Sequence, residues 1–316
     1  MLRGKNVLVT GGAGFTGANL IKRLIAEGAC IRATIHEKDP VILDDRIEYV
    51  RCDLKRSEDC LRASKDMECA FLCAAVTAGA GMMETKPLFL LTPNLLMNVL
   101  MLEAAYEAGV KKVLFISSNT VYPVSDYPVK EDDERGEYFE KYFIAGWMKR
   151  FCEAVCEMYT TKIKKPMETV VVRPANLYGP FDDFEWETSH VLPALIRRVV
   201  ERHNPIKVWG DGRDIKDFIY IDDYIEGLLL AMEKLRGFDV VNLSSGNGYC
   251  LQDLLSMIIQ IDGYNNAMIE FDASKPTMIP KRIVDPTKAK KNLNFKADTP
   301  IEEGLRKTIS WYRSTL

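Results

Sequence analysis

The feature that most limits how this chain can fold is the regular exchange of short apolar runs with amphipathic stretches over its first half. Strands are predicted at Asn6–Thr10, Ile31–Ile35, Glu48–Cys52, Cys69–Ala74, Val113–Ser117 and Thr169–Val172. Helices are predicted at Ala13–Glu27, Ser57–Ser64, Pro93–Ala108 and Phe143–Tyr159. The strands are apolar throughout rather than alternating, so both of their faces must be covered. Strand–helix alternation with such strands implies an α/β fold of the Rossmann type, a doubly wound parallel sheet with helices on both faces. After residue 174 the rhythm loosens and Pro and Gly become frequent. Asp217–Ile221, the helical Asp223–Lys234 and Val240–Leu243 read as a return to the first unit. The expected organisation is residues 1–173 with 215–245 as a dinucleotide-binding unit, and 174–214 with 246–316 as a smaller α/β substrate-binding unit.

Thr10-Gly11-Gly12-Ala13-Gly14-Phe15-Thr16-Gly17 follows the first strand and opens the first helix. Gly11, Gly14 and Gly17 let the backbone turn tightly and bring N–H groups close to a pyrophosphate, and Phe15 and Thr16 begin the helix whose positive end meets it. That context is what makes a glycine string informative. The second strand ends in His36-Glu37-Lys38, where an acidic residue would grip a ribose and a basic one a 2′-phosphate. His36 and Lys38 favour NADP slightly over NAD. A solvated polar loop is the competing reading.

The formal net charge of −3, without a block of like charge, gives no reason to expect a nucleic-acid or membrane-surface partner. No signal-peptide pattern precedes the first strand, and a cytoplasmic protein is expected. The eight cysteines lack the His or paired-Cys spacing of a zinc site, so no metal is expected and the thiols are read as buried and free.

Several further segments carry a resemblance. Arg51-Cys52-Asp53-Leu54, Cys73-Ala74-Ala75, Phe115-Ile116-Ser117-Ser118-Asn119-Thr120-Val121-Tyr122, Arg173-Pro174-Ala175-Asn176-Leu177-Tyr178-Gly179-Pro180 and Asp217–Asp223 resemble the extended short-chain dehydrogenase/reductase family over nearly the whole chain. Within it, Ala74–Asn94, Asp182-Asp183-Phe184, Ser189–Arg198 and Val208-Trp209-Gly210-Asp211-Gly212 are similar to the GDP-L-fucose synthase-like sugar-nucleotide enzymes. The resemblance implies that Asp53 and Leu54 meet the adenine and that Ala74 and Ala75 floor the cofactor site. It places a catalytic hydroxyl at Ser118, and substrate contacts at Thr77, Asn176, His190, Val191, Trp209, Lys216 and Arg282. The diphosphate would meet Asn176, Lys216 and Arg282. Two positions depart from that branch: Thr120 replaces a cysteine acid/base, and Lys216 replaces an arginine. The Asp-Glu pair of sugar dehydratases and the glutamate of decarboxylases are absent at Asn119 and Thr120. Hydride transfer at C4 of a nucleotide-linked hexose or heptose is the implied chemistry, as 4-reductase, 4-dehydrogenase or 4-epimerase. The alternatives are a non-catalytic sugar-nucleotide or NAD(P)-binding module and a 3,5-epimerase/4-reductase of GDP-4-keto-6-deoxy sugars.

The family's Tyr-x-x-x-Lys helix admits two registers here. Tyr142 as the tyrosine leaves Gly146 for the lysine; Lys149 as the lysine leaves Ala145 for the tyrosine. The second also aligns Glu153 and Tyr159 with the family's following acidic and aromatic residues, and it is adopted. Residues four apart share a helical face, so a phenol and an ammonium there would point together at the nicotinamide. Ala145 has no proton to give. A replaced tyrosine, preferred because its neighbours match a working site, a natural loss, and a stand-in by Tyr142 one turn earlier are the three explanations. A homodimer is expected, because Leu95, Leu96, Val99, Leu100 and Leu102, with Phe151, Cys152 and Val155, place apolar residues beyond one stripe of their helices.

Overall fold

The computed structural model describes residues 2–77, 86–275 and 277–316. The first half builds β1 (Asn6–Thr10), α1 (Phe15–Glu27), β2 (Cys30–Ile35), β3 (Ile47–Arg51), α2 (Ser57–Ser64), β4 (Cys69–Leu72), α3 (Leu91–Glu107), β5 (Lys112–Ile116), α4 (Phe143–Thr161) and β6 (Glu168–Pro174). The second half builds β7 (Asn176–Tyr178), α5 (Val191–Val200), β8 (Ile206–Trp209), β9 (Ile215–Tyr220), α6 (Ile221–Lys234), β10 (Phe238–Leu243), β11 (Gly248–Cys250), α7 (Leu251–Asp262), β12 (Ile269–Asp272), β13 (Lys281–Arg282), α8 (Thr287–Leu293) and α9 (Ile301–Ser314).

Seven strands form the large sheet in the order β10-β6-β5-β4-β1-β2-β3. Every pairing in it is parallel. The order reverses between β1 and β4, and it is beyond the strand C-termini at such a switch point that open α/β sheets bind ligands. Val7, Leu8, Val9, Phe71, Leu114, Phe115, Val170, Val171 and Val172 are buried, as strands covered on both faces require. α1, α6 and α8 lie on one face; α2, α3 and α4 lie on the other.

α1 starts at Phe15, two residues later than predicted, because Gly14 is extended and caps the helix with its backbone. It ends at Gly28, whose left-handed φ of 76° lets its N–H reach the Ile25 and Leu24 carbonyls. Leu20, Ile21 and Leu24 supply the buried stripe between.

β9 departs from the sequence reading. Rather than joining the large sheet, it pairs with β7 and β13 in parallel and with β11 antiparallel. The reason is aromatic: Phe218 and Tyr220 both pack edge-on against Tyr178 of β7. β8 and β12 form a separate two-stranded ribbon. α5, α7 and α9 pack together beside these short strands. All eight cysteines are free, but only five are buried. Cys30 is exposed at the start of β2, and Cys73 and Cys250 are half-buried.

One polar cluster sits in the interior between α4 and the sheet. Glu153 and Arg173 are buried, and the guanidinium grips both carboxylate oxygens at 2.9 and 2.7 Å. Burial opposes the charge of Arg173, but its bonds to Glu153 and Tyr122 hold its pKa above the ordinary arginine range. The Ser117 hydroxyl also donates to Glu153. Arg173 reaches the Tyr122 hydroxyl at 3.1 Å, and that hydroxyl donates to Asn242 at 2.6 Å. Removing one partner of such a pair strands a charge in low dielectric, while replacing both with apolar groups costs far less. Glu153→Ala is expected to lower unfolding free energy by about 3–5 kcal/mol, and Glu153→Leu combined with Arg173→Met by less than the single change. Urea unfolding followed by circular dichroism measures both; equal losses would refute the paired-charge account.

Candidate functional site

The glycine loop is laced to three strand ends. The Gly11 N–H donates to the Thr34 hydroxyl at 3.1 Å and the Gly12 N–H to the Thr34 carbonyl at 2.7 Å. The Ala74 N–H donates to the Thr10 hydroxyl at 3.0 Å. Gly11 has φ +70°, and a Cβ on it would stand 2.9 Å from the Ala74 Cα. A Cβ on Gly17 would lie 2.1 Å from the Gly11 carbonyl oxygen. The loop therefore closes only with glycine at both places. α1 opens with no side-chain cap and no acidic residue in its first turn. Its first N–H groups are left for an anion. Phe15 and Thr16 occupy that turn.

At the end of β2, His36 and Lys38 are both exposed. Arg51 of β3 donates to the His36 carbonyl and to Asp39, adding a basic group that sequence reading had not singled out. Asp53 is half-buried and accepts the Lys55 N–H at 3.1 Å, so one of its oxygens shapes the turn into α2; Leu54 is buried. Ala74 is half-buried and Ala75 exposed at the β4 end. The backbone leaving β4 is fixed by Asn94, a buried residue of α3 that both donates to and accepts from Val76 at 2.9 Å. Two asparagines, Asn94 and Asn98, inside an otherwise apolar helix were the available signal for that contact. Thr77 is exposed. Residues 78–85 of the stretch Ala74–Asn94 lie outside the described residues.

Beyond β5, Ser118 caps a short 3₁₀ turn, Asn119–Val121, and its hydroxyl accepts the Thr120 N–H at 3.1 Å. The Thr120 hydroxyl lies 3.0 Å from that of Ser118, so the structure brings these two predicted residues together. In α4 the two registers separate on space. A Cβ on Gly146 would come within 2.6 Å of the Thr120 carbonyl oxygen and 2.8 Å of the Tyr138 ring, so no lysine fits there. Lys149 turns inward, donating to the Ile116 carbonyl at 2.8 Å and lying 5.0 Å from the Phe115 ring centroid. Burial lowers its pKa from the ordinary lysine range. Ala145 is half-buried one turn before it. Tyr142 is the cap of α4, and burial pushes its phenol up to about 12, with Arg282 acting in the opposite direction.

The residues expected to meet the diphosphate divide. Asn176 spends its amide on the Asp217 carbonyl at 2.8 Å. Lys216 is buried and held by the Ile279 carbonyl and by Asp214 at 3.2 Å. Arg282 is buried too and donates to the Tyr122 carbonyl at 3.0 Å, but its Nε and Nη1 have no partner. Asp217 was missed as an organiser. Its carboxyl accepts the Ser245 hydroxyl at 2.8 Å and the N–H groups of Gly246 and Val284 at 3.1 and 3.2 Å. Burial pushes its pKa up to about 7 against those bonds.

In the segment leading to α5, the Asp182 Oδ2 and the Ser189 Oγ are buried without partners. His190 caps α5 and is exposed, as are Val191 after it and Trp209 at the end of β8. The turn after Trp209 is tight: a Cβ on Gly210 would meet Thr277 and one on Gly212 would meet Phe271, each at 2.3 Å. The segment before α5 is also tied to the dinucleotide loop's helix, because the buried Asn19 amide bridges the Phe15 and Pro180 carbonyls at 2.9 Å each. No helix among the described residues is long and apolar enough to cross a membrane.

Comparison with known proteins agrees with this fold. The chain is 28% identical to a rice (Oryza sativa subsp. japonica) protein named probable GDP-L-fucose synthase 1, over 98% of this chain and 92% of that one. It is 25% identical to a Streptomyces dTDP-4-dehydro-6-deoxy-D-allose reductase, over 98% and 97%. Its structure superposes on UDP-glucose 4-epimerase from Thermotoga maritima, solved with UDP-glucose, with a TM-score of 0.88 at 26% identity, covering 98% and 99% of the two chains. The profile of the NAD dependent epimerase/dehydratase family matches residues 7–244, and with its glycine loop, parallel sheet and lysine-bearing helix in place the chain belongs to that family.

Proposed function

We propose that this protein moves hydride at C4 of a nucleotide-linked hexose or heptose, as a 4-reductase, 4-dehydrogenase or 4-epimerase. The observation that carries the reading is the Ser118–Thr120 hydroxyl pair beyond β5, the strand whose Ile116 carbonyl holds Lys149. The glycine loop, lacking room for any Cβ at Gly11 or Gly17, suits a dinucleotide pyrophosphate. A bound nicotinamide cofactor supplies the acceptor and donor of hydride. Gly11, Gly14, Phe15, Thr16 and Gly17 would hold its pyrophosphate, Asp53 and Leu54 its adenine, Ala74 and Ala75 its underside, and Lys149 a ribose hydroxyl. His36 and Lys38, exposed at the β2 end, favour the 2′-phosphate of NADP(H) over NAD(H). GDP is the preferred base, following the names of the relatives.

Lys149 keeps two ammonium protons after its bond to Ile116. Thr120 can donate to Ser118, which frees the Ser118 proton for the C4 oxygen of the sugar. Thr120 carries no group able to take a proton from ring carbon at neutral pH, so chemistry at C4 is preferred over epimerisation at C3 and C5. Position 145 would normally complete the proton path. With alanine there, binding survives and proton transfer does not, since ribose and pyrophosphate contacts belong to the ground state and proton transfer to the transition state. Ala145→Tyr is expected to raise kcat by about 10²–10⁴-fold with little change in cofactor affinity. Stopped-flow absorbance of the nicotinamide with a panel of nucleotide sugars measures it. A variant that binds these sugars and stays inert would favour the non-catalytic binding module instead.

A homodimer is part of the same proposal. Trp147, Phe151 and Met158 line one face of α4 at 43, 42 and 52% exposure, and Trp147 stacks on Phe151 at 5.6 Å. Leu96 on the adjoining α3 is 43% exposed. A contiguous apolar face on neighbouring helices fits a symmetric pairing of four helices, two from each copy. Sedimentation equilibrium at micromolar concentration should give twice the chain mass, and Trp147→Glu with Phe151→Glu should give one chain mass. A wild-type monomer would overturn the pairing.

A further inference from the structure

The loop between β7 and α5, residues 179–190, carries two polar atoms that the fold does not use. The Asp182 Oδ2 and the Ser189 Oγ are both closed off from solvent, and neither has a hydrogen-bond partner among the described residues. An unpaired buried polar group is costly, and native folds rarely keep one without a water or a ligand to satisfy it. Two on one short loop call for a common partner. The neighbouring polar groups are committed to the loop's own shape. The Asp183 carboxylate accepts the Glu185 N–H at 3.0 Å and the Thr188 hydroxyl at 2.5 Å. The Ser189 N–H donates to the Glu185 carbonyl at 2.9 Å. The other oxygen of Asp182, Oδ1, accepts the Asp183 N–H at 2.8 Å, so the carboxyl is fixed by one oxygen and the second is left over.

The two ends of the loop say where it lies. At its start, the Pro180 carbonyl accepts from Asn19 of α1, whose amide also reaches Phe15 beside the glycine loop. At its end, His190 caps α5. The loop thus runs from the first turn of the dinucleotide-loop helix to the exposed pair His190 and Val191. Just after the pinned Pro180, Phe181 has φ +67°, a left-handed conformation rare for a bulky side chain. Its ring packs on Trp311 of α9, with centroids 5.2 Å apart. Backbone strain is therefore held at the base of the loop, where a change of φ would swing Asp182.

The chemistry of the two groups selects their partner. A serine hydroxyl both donates and accepts. Burial pushes the Asp182 pKa up to about 8, so near neutral pH its carboxyl occurs with and without its proton. The ionised form would repel an anion, and the neutral form would give a cation no counter-charge. A hydroxyl suits both forms. We propose that Asp182 and Ser189 form a subsite for neighbouring hydroxyls on a sugar ring, and that the loop opens at Phe181 to admit them and closes over them. The proposal rests on the nucleotide-sugar reading and deepens it. The hydroxyls belong either to the substrate's hexose or to the ribose of the cofactor, and the two residues bind them without moving a proton in the reaction.

The test titrates wild type, Asp182→Ala, Asp182→Asn and Ser189→Ala by calorimetry. The ligands are UDP-glucose, GDP-glucose, their 2-deoxy and 3-deoxy analogues, and NADH. Thermal unfolding without ligand and hydrogen exchange of residues 181–190 are followed in parallel. Asp182→Ala and Ser189→Ala should each weaken the bound sugar nucleotide about tenfold, and Asp182→Asn, which keeps the Oδ1 bond to Asp183, by less. One deoxy analogue should bind wild type more weakly than its parent sugar and bind Asp182→Ala equally well, which identifies the hydroxyl that Asp182 holds. If the substitutions weaken NADH and leave the sugar nucleotides unchanged, the hydroxyls are those of the ribose. Since both groups lack partners in the free protein, the variants should melt at the wild-type temperature or above it. Affinities unchanged for every ligand would overturn the subsite, and lowered melting beside them would assign the two groups to a structural water. A penalty for both deoxy analogues that is the same in wild type and Asp182→Ala, with NADH unaffected, would overturn it as well. Exchange at 181–190 should slow when ligand is bound; an unchanged rate would refute the opening of the loop. If neither nucleotide sugar binds wild type, the nucleotide-sugar reading falls. The subsite then stands if Asp182→Ala weakens NADH binding and falls if it does not.

Discussion

The fork of Arg173 on Glu153 is the contact on which the rest of the site depends. It joins the middle of α4 to the last turn of backbone in β6, deep under the sheet's C-terminal edge. Through Ser117 it also holds the end of β5, and through Tyr122 and Asn242 it reaches the end of β10. Four elements are thereby set against one another by a few hydrogen bonds whose geometry is strict. Such a pair adds little net stability over an apolar replacement, so its value is directional. If α4 were rotated about its axis, Lys149 would leave the Ile116 carbonyl, and the close packing of Gly146 on Thr120 would fail with it.

This rigidity explains which parts of the molecule the sequence made legible. The glycine loop, the six strands of the first half and the inward turn of Lys149 follow from local rules: apolar continuity, positive φ at Gly11, and a four-residue spacing on α4. Each is enforced by packing that leaves no alternative, as the missing room at Gly17 and Gly146 demonstrates. The smaller strands were harder to read. β7, β11 and β13 span two or three residues each, too short for any periodicity, and β9 is placed by contacts with Tyr178 that no local pattern announces. Polar side chains were harder still. Asn176 and Lys216 were expected to face a ligand, yet both are engaged internally, because the sequence shows a residue's chemistry and not its neighbours. Arg282 was named for its charge, but only burial revealed that its Nε and Nη1 have no partner.

On the proposed reading, family membership and the alanine at position 145 pull in different directions. The glycine loop, the uncapped first turn of α1 and Lys149 lie along the strand ends. On the proposed reading, the contacts of the ground state need no phenol, and Ala145 offers no proton. A fold that kept its binding contacts without a hydroxyl at 145 would be expected on physical grounds, since the loop, the helix N-terminus and Lys149 draw on different parts of the chain and none of them needs a phenol at 145.

The order in which the large sheet is assembled has a cost for the growing chain. β10, the strand that covers the outer side of β6, ends at Leu243, some seventy residues after β6 has formed, and three short strands of other sheets are made in between. On the ribosome, β6 must therefore wait. Throughout that interval Thr169-Val170-Val171-Val172, four consecutive residues of high strand propensity, presents an unpaired backbone edge. That is the kind of edge on which a second nascent chain can dock. The interleaving that sets the two sheets side by side thus leaves one valine-rich edge without its native neighbour until most of the chain has been made.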